Sequence, residues 1–183
     1  MLAPTSNSTN LPAPQSLRAK SVIKQQEIPK TLRLTPLPTT VNEQGRGLPI
    51  VMMTPDQPVP CRRCLQDSRV GEEMVLISYD PFRGDSPHRC TSPIFLHPSS
   101  RCHLASFPST GALLPEQQRT RFLSVRAFDA GHMMVGSDLV DGEQMLDACE
   151  RLLGDETRAE YCHLHYARQG CFAVRVDKVK VDG

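Results

Sequence analysis

"EYCHLHYARQGCFAVRVDKV", residues 160–179, decides the fold, because it holds two alternating apolar runs on either side of a short turn. The turn reads Arg168-Gln169-Gly170, and a three-residue loop that ends in a glycine is a common β-hairpin connection. Strands joined by so short a loop must be antiparallel, because a parallel pair needs a long crossover. The stretch therefore predicts a β-hairpin in an antiparallel sheet.

The predicted register gives the hairpin two faces of different character. The turn at residues 168–170 places His163 opposite Arg175 and His165 opposite Ala173, and directly opposed residues share a face. One face is then apolar and should pack on the core; its residues are Cys162, Leu164, Tyr166, Phe172, Val174 and Val176. The other face carries Tyr161, His163, His165, Cys171 and Arg175.

The second face is the first candidate site. His163 and His165 are two positions apart on one strand, about 7 Å, and Cys171 lies diagonally across at a similar distance. Side chains at that spacing can converge on one ligand. We predict a ligand-binding site for a small molecule at His163, His165, Cys171 and Arg175.

Two other functions compete with a binding protein. Cys171 and His165 could form a nucleophile and its base in a small enzyme of a small-molecule biosynthetic pathway. No G-x-S-x-G elbow and no glycine-rich phosphate loop occurs, so catalysis would rest on that Cys–His pair. The third alternative is a structural or interaction protein without a site.

Further extended segments precede the hairpin, separated by turn-forming residues. They are predicted at residues 31–37, 72–79, 92–97, 121–128 and 132–140. The first contains a proline and suits a sheet edge. The last two flank Asp129-Ala130-Gly131, a connection of hairpin length.

One helix is predicted between the two hairpins. Asp141 suits the N-cap position and Gly154 the position just past the C-terminus. Apolar residues recur between them at helical spacing and define a buried stripe: Met145, Leu146, Cys149, Leu152 and Leu153. The predicted fold class is α+β, a mainly antiparallel sheet with one principal helix packed on one face.

Composition divides the chain of 183 residues into two parts. Residues 1–30 are rich in Ser, Thr, Asn and Pro and have no hydrophobic period, so we predict a disordered N-terminal tail. Residues 16–24 carry three cations and no acid, which is also typical of a mitochondrial targeting segment. Residues 31–183 are predicted to form a single α+β domain.

Charge, hydropathy and cysteine content narrow the class of protein. The net charge is +1 and the basic residues are dispersed, so nucleic acid is not an expected partner. The longest apolar run has about six residues, whereas a membrane helix needs about 20. Seven cysteines in irregular spacing, with no secretory signal, indicate reduced thiols in a cytoplasmic protein.

The sequence Cys61-Arg62-Arg63-Cys64 leaves three interpretations open. The pair could be half of a zinc site, a redox dithiol, or thiols that only pack. A zinc site needs two more ligands, and we consider Cys61 and Cys64 with His163 and His165. An alternative set comes from the stretch HPSSRCH and contains His97, Cys102 and His103.

Three stretches together resemble a known family. They are CRRCLQDSRVGEEMVLISYDPFRGDSP, then PIFLH with Cys102 shortly after, and LHYARQGCF. They resemble the family of short uncharacterised proteins known as domain of unknown function 1203, over about residues 31–178. The resemblance implies a single small domain with the tail outside it and supplies no catalytic residues.

The resemblance also bears on the C-x-x-C pair. In that family the first Cys-Arg and the leucine are typical and the second cysteine is variable. Tyrosine is usual at the position of His88, and Gly-Pro at Ser92-Pro93. The resemblance therefore implies that Cys61 and Arg62 matter more than Cys61 and Cys64 as a unit.

Overall fold

Two antiparallel sheets form the framework of the protein. The computed structural model describes residues 28–37, 51–98, 102 and 121–179. The strands are β1 (Leu32–Thr35), β2 (Val51–Met53), β3 (Met74–Tyr79), β4 (Ser92–Leu96), β5 (Phe122–Phe128), β6 (Met134–Asp141), β7 (Tyr161–Tyr166) and β8 (Phe172–Lys178). A 3-10 turn (Gly142–Gln144) leads into one α-helix, α1 (Met145–Leu152).

The larger sheet has five strands in the order β1-β8-β7-β5-β6, and the smaller has three in the order β2-β3-β4. All pairings in both sheets are antiparallel. The predicted hairpins β5–β6 and β7–β8 are confirmed, and β1 lies at a sheet edge as its proline-containing sequence predicts. Short connections and alternating patterns thus identified these strands correctly, whereas β2 was not predicted.

The predicted fold class is wrong in its weighting of helix and sheet. The helical segment has 11 residues including its 3-10 turn, and the strands make two sheets, so the protein is mainly β and not α+β with a principal helix. The apolar stripe does enter the core, since Met145, Leu146 and Cys149 are buried. However, Leu153 already leaves helical geometry at φ −100° and ψ 9°, which limits α1 to about two turns.

The larger sheet is covered on both faces. Helix α1 packs on one face against alternate residues of the central strands, and these form the main core: Leu123, Val125, Ala127, Cys162, Leu164, Val174 and Val176. The smaller sheet contributes Val75, Ile77, Ile94 and Leu96 to a second core, which also contains Phe172 from β8. Every residue of β7 is buried as a result.

A β-bulge corrects the predicted register of the decisive hairpin. His163 does lie opposite Arg175, but the register shifts between Leu164 and His165, so that His165 lies opposite Phe172. The extra residue of the bulge turns Cys171 and Phe172, next to the turn, to the opposite faces of the sheet from those predicted. Phe172 now lies beside the His163 ring with their centroids 5.4 Å apart, whereas Cys171 belongs to the main core on the helix side.

The division of the chain into a tail of residues 1–30 and a domain of residues 31–183 stays a prediction. The predicted tail, residues 1–30, including the segment 16–24, lies outside the described residues except for residues 28–30. Among the described residues, no helix is long and apolar enough to cross a membrane.

Candidate metal centre

Four ligand-type side chains converge at the base of the smaller sheet. The metal-binding atoms of Cys61, Cys64, His97 and Cys102 all lie within 4.8 Å of one another. The first three residues are buried and Cys102 is half-buried. We call these four residues the Cys3His cluster.

The internal distances of the cluster suit a tetrahedral ion. Cys61 Sγ lies 3.9 Å from Cys102 Sγ, and Cys64 Sγ lies 3.3 Å from His97 Nδ1. A tetrahedral zinc ion with bonds of about 2.3 Å to sulfur and about 2.0 Å to nitrogen requires ligand atoms about 3.5–3.8 Å apart. Both distances differ from these values by no more than a few tenths of an ångström, and no pair of ligand atoms in the cluster is more than 4.8 Å apart, so an ion at the centre would need shifts of at most about 1 Å.

The loop from Cys61 to Cys64 is a tight turn held by backbone hydrogen bonds. Cys61 N donates to Gln66 O at 2.9 Å, and Arg62 N donates to Phe95 O of β4 at 3.1 Å. Leu65, which follows the second cysteine, has φ 58°. The left-handed region costs a non-glycine residue about 1–2 kcal/mol, and burial of the Leu65 side chain, which is 1% exposed, offsets that cost.

His97 is oriented between the thiols and a carboxylate. It follows directly after β4, its backbone N donates to Cys61 Sγ at 3.3 Å, and its Nδ1 faces Cys64. Its other ring nitrogen, Nε2, lies 3.7 Å from Glu72 Oε2. A carboxylate behind a histidine is the usual arrangement around zinc, where it fixes the ring orientation and the tautomer.

The protonation of the cluster reflects the close approach of its thiols. Hydrogen bonds from Cys102 and then Cys64 lower the pKa of Cys61. Hydrogen bonds to Cys61 and Cys64 raise the pKa of His97 to about 10. The lowered pKa favours the thiolate form of Cys61, and a bound cation would stabilise the same thiolate.

Two buried arginines lie beside the cluster, and one of them, Arg62, connects it to the hairpin. Arg62 and Arg63 are 2% and 0% exposed. Arg62 donates from Nε to Phe172 O at 2.9 Å and from Nη2 to Cys171 Sγ at 3.0 Å. Arg63 donates to His97 O at 3.3 Å. The positive charges of Arg62 and Arg63 would complement a site that holds Zn²⁺, three thiolates and a neutral imidazole, because such a site has a net charge of −1.

The structure brings together only some of the residues proposed from the sequence. Cys61 and Cys64 are joined by His97 and Cys102, which belong to the alternative ligand set, whereas His163 and His165 are not in the cluster. His103 of that alternative set lies outside the described residues. Cys64 lies in the cluster together with Cys61.

Cys171 and His165 do not face each other. Cys171 contacts Arg62 on the helix side of the hairpin. His165 Nδ1 lies 3.1 Å from Gly170 O, so that this nitrogen is the donor. The register expected for a Cys–His catalytic pair is therefore wrong at the bulge, and all seven cysteines are free thiols.

His163 occupies a separate aromatic environment between the larger sheet and residues 80–90, which we call the covering segment. Its ring centroid lies 4.9–5.4 Å from those of four aromatic residues: Phe82, Phe128, Tyr161 and Phe172. Burial first, and then the charge of Arg175, lower its pKa to about 3. Burial likewise lowers the pKa of His165 to about 4, with a further contribution from Arg126.

Gly84 sets how closely the covering segment approaches the larger sheet. A Cβ atom at Gly84 would lie 2.7 Å from Cδ2 and Nε2 of His132, and the His132 ring is held by Tyr161 Oη, 2.8 Å from Nδ1. We expect Gly84→Ala to lower the free energy of unfolding by about 1–3 kcal/mol, as overpacking does. Gly131→Ala is the control, since its nearest contact would be an ordinary 3.4 Å. Equal effects in denaturant unfolding would contradict this prediction.

The fold and the cluster define a small two-sheet β protein with a buried set of soft metal ligands. The chain belongs to the family described as "Protein of unknown function (DUF1203)", whose model matches residues 58–178. That range contains all four residues of the Cys3His cluster. No curated protein and no solved structure matches the chain.

Proposed function

We propose that this protein binds one zinc ion through Cys61, Cys64, His97 and Cys102, and that the ion is structural. The observation that carries the proposal is the convergence of four ligand atoms within 4.8 Å. Three thiolates and one imidazole in tetrahedral reach are the donors that zinc prefers over the harder divalent ions. Four protein ligands leave no open position for a substrate, which favours a structural ion.

The other two interpretations of the C-x-x-C pair have less support. A redox dithiol is typically found at a helix N-terminus, where the dipole stabilises the thiolate, and residues 65–73, all of them described, form no helix. Simple packing of thiols would not require a histidine nitrogen 3.3 Å from Cys64 Sγ with a carboxylate behind the ring. A metal explains both features.

The ion would fasten two segments to each other, one before β3 and one after β4. Cys61 and Cys64 precede β3, whereas His97 and Cys102 follow β4. Because β3 and β4 are antiparallel, the start of one lies beside the end of the other. Zinc would therefore close the base of this hairpin and hold Arg62 and Arg63 against the larger sheet.

Metal analysis of protein purified without chelator tests the proposal. We expect about one equivalent of zinc per chain, with tetrahedral sulfur-rich coordination in the ligand-field spectrum of the cobalt-substituted protein. Protein that holds no metal after growth with added zinc, and that binds none when titrated under reducing conditions, would overturn it.

Glu72 provides a more specific prediction. Glu72→Gln should weaken zinc binding by about tenfold or more, because loss of a carboxylate behind a ligating histidine typically costs 10–100-fold in affinity. Competition with a chromophoric chelator measures the change. Glu150→Gln, on the exposed side of α1, is the matched control and should leave the affinity unchanged. An E72Q affinity equal to that of the control would show that Glu72 does not orient His97.

A further inference from the structure

Three basic side chains form a row across the centre of the larger sheet. In the register of β5, β7 and β8, Arg126 lies opposite His163, and His163 lies opposite Arg175. Opposed residues share a face, so these three point to the same side, away from α1. We call Arg126, His163 and Arg175 the basic row.

The basic row has too few carboxylates to balance its charge. Arg175 Nε donates to Asp177 Oδ1 at 2.7 Å, but Asp177 Oδ2 also accepts from Thr35 Oγ1 at 2.5 Å. Arg126 donates to Ser124 Oγ at 3.3 Å, and within the described parts of the chain no carboxylate reaches it. His163 is neutral and Arg175 has Asp177 as a partner, so Arg126 carries the unbalanced positive charge on this face, which an anion could neutralise.

His163, at the centre of the row, is buried and has no hydrogen-bond partner among the described residues. It is 0% exposed, and no described residue lies within hydrogen-bond reach of Nδ1 or Nε2. Burying an unpartnered polar group costs free energy, and a purely structural core position would normally hold an apolar residue. A neutral imidazole has one N–H to donate, and a bound anion would accept it.

An aromatic ring from the covering segment occupies the space above His163. The Phe82 ring packs edge-on against His163 and Phe128, with centroid distances of 4.9 and 5.1 Å. From Arg83 to Cys90 the positions are exposed or half-exposed. A bond from Ser86 Oγ to His132 O at 2.7 Å ties the segment to the sheet. The Phe82 ring can therefore leave this position without breaking a strand pairing.

We propose that the basic row is the floor of a binding site for a small aromatic carboxylate, closed in this structure by the Phe82 ring. The ring of the ligand takes the place of the Phe82 ring against Phe128, His132 and His163. Its carboxylate lies over the row, where Arg126 supplies the charge without an acidic partner and His163 donates a hydrogen bond. The site shares none of the four residues of the Cys3His cluster, so it does not depend on the proposed zinc function.

Benzoate is the simplest probe of this site, and benzamide is its neutral counterpart. Ligand-observed NMR on the full chain should show saturable benzoate binding that exceeds benzamide binding by about tenfold, which is the usual value of one charge-assisted hydrogen bond. Arg126→Met should weaken benzoate binding by about tenfold. Arg168→Met, in the exposed hairpin loop, should not change it.

A second variant removes the Phe82 ring and leaves all three residues of the basic row in place. Phe82→Ala should tighten benzoate binding several-fold, because the ligand no longer displaces the native ring. A fold check by circular dichroism accompanies each variant. The proposal is overturned if neither wild type nor F82A binds benzoate at millimolar concentration, if benzamide binds equally well, or if folded R126M binds benzoate as wild type does.

Discussion

Replacing Cys64 with serine is expected to abolish stoichiometric zinc binding and to lower the free energy of unfolding by about 4 kcal/mol or more in zinc-containing buffer. A ligand that binds only the folded state stabilises it by about 4 kcal/mol when its free concentration is a thousand times the dissociation constant. Structural zinc sites commonly exceed that ratio. Metal content per chain and thermal unfolding with and without added zinc measure the two effects.

Two other cysteines separate metal loss from loss of packing. Cys149→Ser alters a thiol of α1 that is buried in the main core, and should reduce stability while leaving one zinc per chain. Cys90→Ser alters an exposed thiol and should change neither quantity. If C64S retains zinc, or if metal-free wild type is as stable as the zinc-loaded protein, the ion is not a structural element.

Acidification is expected to destabilise the fold through its buried histidines. The pKa of His163 is lowered to about 3 in the folded state, against about 6.5 in an unfolded chain. The unfolded state therefore binds the proton more readily below pH 6.5, so the stabilising contribution is complete above that pH and is lost as pH falls toward 3. At pH 5 the loss from His163 is about 2 kcal/mol.

His163→Phe isolates this contribution. Phenylalanine suits the aromatic surroundings and does not titrate, so the variant should lose about 2 kcal/mol less than wild type between pH 7 and pH 5 in denaturant unfolding. His88→Phe is the control, because that ring is half-exposed in the covering segment. The interpretation fails if H163F and wild type lose the same stability over this interval.

Much of the strand arrangement can be predicted from the sequence, because alternating apolar residues and short turns are local signals. The apolar stripe of the helix was also correctly identified, but the length of the helix was not. An apolar stripe and capping residues do not reveal where the backbone leaves helical geometry. The bulge at Leu164 and His165 was not predicted. Cys171 and Phe172 are both apolar enough to be buried, so hydrophobic alternation alone does not determine which of them faces the helix.

The candidate metal centre was only partly predictable for a different reason. The C-x-x-C spacing marks Cys61 and Cys64 as a pair, and the stretch around His97 and Cys102 was considered as an alternative source of ligands. Choosing between that stretch and the hairpin histidines requires the pairing of β3 with β4 and the contact of Cys61 with Phe95. Such long-range contacts leave no periodic trace in the sequence.

The position of the Cys3His cluster at the base of the β3–β4 hairpin has a consequence for the order of assembly. Pairing of those strands brings Cys61 beside Phe95, two residues before His97, so most of the chain entropy of closing the loop is lost before any ion arrives. Metal capture then needs only the adjustment of side chains and of residue 102, whose thiol is the most accessible of the four. Exchange of the proposed ion would therefore proceed through Cys102 while both sheets stay folded.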